Sequence, residues 1–382
     1  MPPTSHPPVP RSLLTALSLP ASDPSKATLS THGHGSHFTT TAHLRVPISD
    51  PADPAQAPAL ERHFFVKMSK KKRDNTLAPP PASTGGTGGA ADPAMEMFRG
   101  EYASLNAIAD VVPEMCPRGL AWGELEQEEG GGGGGWFLAT EFLELGRGRG
   151  VRRSREAGLA RRLARLHCTR APAPPSATER GDCVVNVAEK KKNGPDGRGD
   201  DDGELQFGFP VPTFCGDVRQ ANEFRRSWAE FYAEQRLRSV LAESEKRNGA
   251  DRALRELVEK VADTVVPRLL GDGHLGYDKH GSGEGIVPVV VHGDLWSGNT
   301  GTGRILRNKS RHDDDVDGGE GDEDVGDVVF DPSACYAHSE FELGIMHLFG
   351  GFGRDFYEEY HRLVPKTEPV EEYADRVALY EL

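Results

Sequence analysis

The sequence predicts an α+β fold in two lobes, a β-rich N-terminal lobe over 1–142 and a mainly helical C-terminal lobe over 143–382. Three observations carry this. Strand-like runs, alternating or rich in β-branched and aromatic residues, recur at Thr39–Val46, His63–Met68 and Trp136–Leu145. Two long amphipathic stretches, Asn222–Lys246 and Ala253–Leu270, dominate the second half. Between that helical region and the C-terminus, the apolar run Ile286–Val291 leads directly into a polar loop. At 382 residues and 41.5 kDa the chain is long enough for two such lobes.

Composition narrows the function classes. Gly 45 and Pro 28 against 36% hydrophobic residues imply stretches that do not pack. No apolar run approaches the ~20 residues that cross a bilayer, so a soluble protein without membrane contact is expected. Five scattered cysteines, with no C-x-x-C pair, point away from a disulfide scaffold or structural zinc and toward a reducing, cytoplasmic compartment. The net charge is −14, but the insertion around 313–327 holds nine of the acidic residues and no Lys or Arg. Such a block is a solvated segment rather than a recognition surface, and the balance gives no support to nucleic-acid binding.

The N-terminal elements follow in order. A short helix is expected over Arg11–Leu19, since an apolar stretch interrupted by Thr and Ser behind a proline-rich start lacks the make-up of a signal peptide. Thr31-His32-Gly33-His34-Gly35-Ser36 reads as a tight turn between strands, where missing side chains let backbone N–H groups approach a phosphate. An ordinary hairpin turn is the alternative. Lys67 sits inside the apolar strand His63–Met68, a position from which a lysine either reaches solvent or holds an anion. After a Pro/Gly/Ala spacer, Met95–Val112 repeats Phe98, Tyr102, Leu105, Ala109 and Val112 at helical spacing. Glu101 lies beside that stripe, where a helix packed on the lysine strand could bring it to Lys67 as an ion pair. The strand Trp136–Leu145 closes in a mixed acidic and apolar segment that would suit a hinge whose backbone reads a flat base, but by itself it is merely a strand.

In the second half, Glu156–His167 repeats Leu159, Leu163 and Leu166 with Arg161, Arg162 and Arg165 opposite, a surface helix packing one face, and His167 reads as structural. Disordered insertions are expected at about 69–93, 171–204 and 304–326, all poor in periodicity.

The chemical centre is His292-Gly293-Asp294-Leu295-Trp296-Ser297-Gly298-Asn299. Asp294 and Asn299 are separated as are the Asp and Asn of the protein-kinase catalytic loop H-R-D-x-x-x-x-N. Phosphoryl transfer needs a carboxylate to accept the proton of the attacking hydroxyl and oxygen ligands for the Mg²⁺ that bridges the phosphates. Val328-Val329-Phe330-Asp331-Pro332 supplies a second carboxylate at a strand end. Taken singly, Asp294, Asn299 and Asp331 are equally turn or cap residues. Their order after Lys67 favours a kinase.

Three segments resemble the fructosamine/ketosamine-3-kinase family: His292–Asn299, Phe330–Leu343 and Ser227-Trp228-Ala229-Glu230-Phe231-Tyr232-Ala233-Glu234-Gln235-Arg236-Leu237. The resemblance covers about Leu13–Leu382 outside the insertions, and it implies a two-lobed protein-kinase-like fold using ATP and Mg²⁺. It also implies phosphorylation of the sugar 3-hydroxyl of ketosamines, ribulosamine or fructosamine on protein lysines or as small molecules, leading to deglycation. On that basis Asp294 is the expected proton acceptor, Asn299 and Asp331 the metal ligands, and Lys67 the phosphate lysine held by Glu101. Gly33, Gly35 and Ser36 fall at the phosphate loop and Glu141, Phe142 and Leu143 at the adenine hinge. Trp296 and Glu340 are candidates for a substrate wall, although Trp296 is equally a core aromatic. Ser339-x-x-Glu342 matches a capping box, which for Glu342 ranks above a substrate role. The insertions are longer than expected for the family, the phosphate loop is unusually His-rich, and the chain stops at Tyr380-Glu381-Leu382 where relatives are expected to continue. Two other readings remain: a small-molecule kinase of the aminoglycoside or choline type, or a catalytically dead kinase-like binding module.

Overall fold

Ten consecutive residue pairs, from Thr39↔Ser69 to Ile48↔Leu60, join β2 (Thr39–Ile48) to β3 (Leu60–Ser69) and fix which side chains share a face. Alternation then sends Leu44, Phe64 and Val66 to one side and His43, Phe65 and Lys67 to the other. The first side is the core. It packs against Leu13 and Leu14 of α1 (Arg11–Ala16) and Leu29 of β1 (Thr28–Thr31).

The computed structural model describes residues 8–19, 27–33, 39–48, 60–69, 92–126, 134–146, 158–175, 206–307 and 325–382. The three expected insertions lie largely outside the described residues, as do Gly35 and Ser36. Their edges are ordered structure: Ser69 ends β3, Pro93 starts a helix, and Arg304 belongs to a strand.

Two compact units emerge, one of 1–162 with 298–332 and the other of 163–297 with 333–382. In the first, β1, β2, β3, β5 (Trp136–Leu145), β9 (Thr300–Leu306) and β10 (Gly326–Val329) form one sheet in that order, and β4 (Gly119–Glu124) also pairs with β5. The sequence boundary near Phe142 differs from this division. Residues Phe142–Leu145 pair with Leu306–Gly303, so the late hairpin β9–β10 joins the first unit through a register that no local pattern announces. Helix α2 (Pro93–Val111) begins where Asp92 accepts the Ala94 N–H at 2.9 Å and Pro93 presets the first turn. Its buried face carries Phe98, Leu105 and Ile108.

The second unit takes up α3 (Leu159–His167), which starts in the first, and then β6 (Thr213–Cys215) and β7 (Val218–Gln220). The first long helix is shorter than the periodicity of Asn222–Lys246 implies. It starts at Trp228 as α4 (Trp228–Phe231), runs through a π-helical stretch (Tyr232–Arg238) and ends as α5 (Ser239–Asn248). Asn222 is not helical because its amide donates to Val211 O and Thr213 Oγ1 while its oxygen accepts from Arg236, which pins a loop. The next, α6 (Arg252–Lys260), passes through a second π-helical stretch (Val261–Val265) into α7 (Val266–Leu270). The remaining elements are β8 (Val289–Val291) paired with β11 (Cys335–Ala337), then α8 (Ser339–Phe349), α9 (Arg354–Leu363) and α10 (Tyr373–Tyr380). Trp228, 1% exposed, centres the aromatic core: its ring meets Phe207, Phe231 and Phe341, and its Nε1–H donates to Tyr380 Oη at 2.8 Å.

Arg162 corrects one expectation. The arginine face of α3 is not wholly solvated, since Arg162 is 5% exposed and its guanidinium donates to the Glu114 and Asp327 carbonyls. Cys116, Cys168, Cys215 and Cys335 are free thiols, and Cys183 lies outside the described residues. Among the described residues no helix is long and apolar enough to cross a membrane.

Candidate active site

Within the first unit, three expected residues converge on one ammonium. Lys67 Nζ donates to Glu101 Oε1 and to Asp331 Oδ1, each at 2.6 Å. β3 presents Lys67, α2 presents Glu101, and the residues after β10 present Asp331, which is 264 positions from the lysine. Burial opposes the charge on Lys67, but the Asp331 and Glu101 carboxylates outweigh it and raise its pKa above the ordinary lysine value. The lysine side chain is 13% exposed, Glu101 14% and Asp331 51%, so Asp331 is the member open to solvent.

Asp331 adopts φ +58°, a left-handed conformation that Asp tolerates better than most residues. That turn ends the strand and aims the carboxylate at Lys67. Asn299 is buried, and its carbonyl accepts the Phe330 N–H at 3.1 Å, one step beyond the Thr300↔Val329 pair of the hairpin. The β9–β10 hairpin thus holds Asn299 and Asp331 close together. Both carry hard oxygen donors, the chemistry that Mg²⁺ prefers.

Gly33, at φ +68°, follows β1, where the His32 N–H donates to Thr41 O. Glu141 is 8% exposed, and it exchanges its groups with Arg118: the Glu141 N–H donates to Arg118 O, and Oε2 accepts the Arg118 N–H at 3.0 Å. Phe142 and Leu143 pair with Leu306 and Ile305. On the face of Lys67, a histidine cluster appears that carries no motif. His43 stacks on Phe142 with ring centroids 3.8 Å apart, and its Nε2 lies 3.0 Å from His63 Nδ1. Burial, then His63, Arg45 and His32, lower the His43 pKa to about 4, against the opposing pull of Glu144.

In the second unit, β8 delivers the loop that carries Asp294. Gly293 has φ +77°, and a Cβ there would lie 2.0 Å from Ser333 O, so only glycine lets the loop pass. The Asp294 carbonyl accepts the Trp296 N–H at 3.1 Å, and Leu295 is fully buried as an anchor. Cys215 Sγ contacts Gly293 O at 3.6 Å; burial, then the charge of Asp294, push its thiol up to about 12. Trp296 is 39% exposed with its ring 5.9 Å from Phe349, which is itself exposed.

Glu340 does not line a wall. It is 2% exposed and bonded to Arg376 Nε and Nη2 and to the Thr367 N–H, a buried ion pair inside the second unit. The capping box also fails, because His338, not Ser339, is the N-cap of α8. Glu342 instead accepts the backbone N–H groups of His292 and Gly293. Local sequence offered only the competing cap pattern.

A sequence model of the fructosamine kinase family matches residues 90–174 and 200–382. The chain belongs to the fructosamine kinase family. As a member of that family it is 35% identical to mouse (Mus musculus) ketosamine-3-kinase over 196 residues, 50% of this chain and 52% of that one. A candidate ketoamine kinase of Synechocystis is 30% identical over 287 residues, covering 75% and 70%. The chloroplastic protein-ribulosamine 3-kinase of Oryza sativa subsp. indica is 27% identical over 284 residues, covering 74% and 61%. The aligned part is thus about half of the mouse protein and under two thirds of the rice one. The solved structure of a candidate fructosamine-3-kinase from Haemophilus somnus matches with TM-score 0.53 at 18% identity, covering 92% of this chain and 80% of that one. One from Thermobifida fusca gives 0.52 at 20%, covering 93% and 84%. These likenesses show the α+β, protein-kinase-like fold.

Proposed function

We propose that this fructosamine kinase family member is an ATP-dependent ketosamine 3-kinase, acting on ribulosamine or fructosamine attached to lysine. The observation that carries the reading is the pair of hydrogen bonds that Lys67 Nζ donates to Glu101 and Asp331, each at 2.6 Å, in a chain whose sequence carries Asp294 and Asn299 at the kinase-loop spacing. Lys67, kept protonated by its carboxylates, binds the α- and β-phosphates of ATP, and Glu101 holds it in place. The phosphate loop is assigned to Gly33, Gly35 and Ser36, and the adenine hinge to Glu141–Leu143. Asn299 and Asp331 would hold Mg²⁺, which supplies neutralisation of phosphate charge when bound. Asp294 takes the proton of the sugar 3-hydroxyl as that oxygen bonds to the γ-phosphorus and the bond from that phosphorus to ADP breaks. The resulting 3-phosphate ester makes the adduct labile, which is the route to deglycation.

Incubation with labelled ATP and Mg²⁺ tests the reading on glycated protein, free ribulosyl-lysine and kanamycin in parallel. Label is expected on the protein and the free ketosamine with comparable efficiency. Label on kanamycin alone overturns the ketosamine reading, and label on none of them with ATP still bound identifies a binding module. Asp294→Asn is expected to lower turnover about 10²-fold or more while ATP still binds; unchanged turnover removes Asp294 from the role of base.

A further inference from the structure

Five of the chain's 14 histidines fall between positions 32 and 63, and a tract this rich in imidazole is a metal-binding composition that the phosphoryl-transfer reading leaves unused. His34 and His37 lie outside the described residues. The strands β2 and β3 bring two of the others together. His43 is opposite Phe65 and Arg45 is opposite His63, so the two rings stand on one face as diagonal neighbours. His43 Nε2 lies 3.0 Å from His63 Nδ1, with the ring planes tilted by 34°. His32, exposed after β1, turns its ring edge to His43 with centroids 5.8 Å apart. Both strand histidines are half-buried, and the pKa of about 4 leaves His43 neutral at pH 7, with a lone pair to give.

We infer that His43 and His63 form a two-histidine site for a divalent copper or nickel ion, on the sheet face that carries Lys67. Two nitrogens 3.0 Å apart subtend about 90° at an ion ~2.05 Å from each, the angle of adjacent ligands in the tetragonal geometry that Cu(II) and Ni(II) prefer. A tetrahedral zinc ion would hold them about 3.3 Å apart. Binding needs only a change of tautomer in one ring: each imidazole keeps one N–H on its outer nitrogen, and no proton is released. On His63 that outer nitrogen, Nε2, faces Glu61 Oε2 at 4.0 Å, a carboxylate placed to favour the ligating form. Arg45 repels the ion, while Glu144, itself paired to Arg304 at 3.1 Å, attracts it. Among the described residues no set of three or more His, Cys, Asp or Glu side chains is grouped to hold a metal ion, so the pair supplies two ligands, water fills the rest and binding is reversible. His43 also stacks on Phe142 with centroids 3.8 Å apart. An ion with its waters beside that stack takes space beside the adenine hinge, so metal and nucleotide compete. The competition rests on the proposed function; the ion site does not.

The test titrates the full chain with NiCl₂ by calorimetry, without nucleotide, and follows CuCl₂ by electron paramagnetic resonance. The copper spectrum is expected to show coupling to two nitrogens. His43→Phe, which keeps a ring on Phe142, and His63→Gln are each expected to weaken nickel binding about 10²-fold, the effect of losing the second arm of a chelate. A chain carrying both His34→Ala and His37→Ala is expected to bind as wild type does. With free nickel held at about ten times its Kd, the apparent Kd for Mg-ATP is expected to rise about tenfold in wild type and to stay unchanged in His63→Gln. No nickel uptake by wild type overturns the inference, as does wild-type affinity in His43→Phe and His63→Gln. Loss of binding in the chain lacking His34 and His37, with the strand variants intact, also overturns it, since the ion then belongs to the loop. A chain that binds no ATP even without nickel removes the proposed function, while the nickel titrations of the variants still decide the ion site.

Discussion

At the scale of single residues, similar side chains divide by what they meet. Glu340 and Glu342 are two positions apart on α8 and both buried, yet one faces a guanidinium and the other two loop amides. Arg376→Met would leave Glu340 buried without its cation. Urea denaturation is expected to show a loss of about 3–5 kcal/mol, with KM for ribulosyl-lysine unchanged in the folded fraction. A stable variant with a weakened KM would return Glu340 to the substrate. Asp331 combines a left-handed backbone with a side chain on Lys67. Asp331→Asn keeps a residue that tolerates the conformation, so its melting temperature should stay near wild type while Mg²⁺-dependent nucleotide binding is lost. Asp331→Val should lose the same binding and also about 1–2 kcal/mol of stability, because a β-branched residue disfavours that φ. Equal melting temperatures for the two variants, by scanning calorimetry, would mean that the backbone relaxes there.

At the scale of elements, the hairpin β9–β10 and the strand pair β8–β11 each carry part of the proposed machinery, and each depends on tight backbone passage. Gly293→Ala would place a methyl group 2.0 Å from Ser333 O at φ +77°. It is expected to destabilise the protein by more than about 1 kcal/mol in urea and to lower turnover; wild-type values for both would show that the loop can shift at no cost. The hairpin suggests a contrasting outcome. Gly303 pairs with Gly326, so the ends of the long connection start side by side. Closure cost grows only about 0.6 kcal/mol per doubling of loop length, so a short Gly-Ser linker in place of Asp313–Asp324 should leave melting temperature and ATP affinity nearly unchanged. A large loss of either would show that the acidic segment packs or binds.

At the scale of the whole molecule, both units hold a histidine that resists protonation. Burial first, with Arg376 and His167 adding and Glu340 opposing, lowers the His338 pKa from 6.5 to about 4. His43 in the other unit is lowered to the same value. Between pH 6.5 and about 4 the unfolded chain therefore binds protons that the folded chain refuses, so stability is full above that window and is lost as pH falls through it. For fully buried His338 the slope is about 1.4 kcal/mol per pH unit, and partly buried His43 adds less. Urea unfolding at pH 7, 6 and 5 should show a shallower decline in His338→Gln than in wild type. Parallel declines would place the sensitivity elsewhere.

By itself the sequence determined the order of the motifs, the strands of Lys67 and Trp136–Leu145 and the α2 helix, and it singled out Asp294, Asn299 and Asp331 as candidates, because each is written in local spacing or in a short motif. Only the tertiary structure decided that β9–β10 completes the first sheet, that Arg162 is buried, that Asn222 pins a loop, that His43 and His63 share the face of Lys67, and that Glu342 grips the loop of Asp294. The physical reason is common to all of them: a polar side chain takes its role from the partner that distant chain delivers, and the register of that delivery is set by packing far along the sequence.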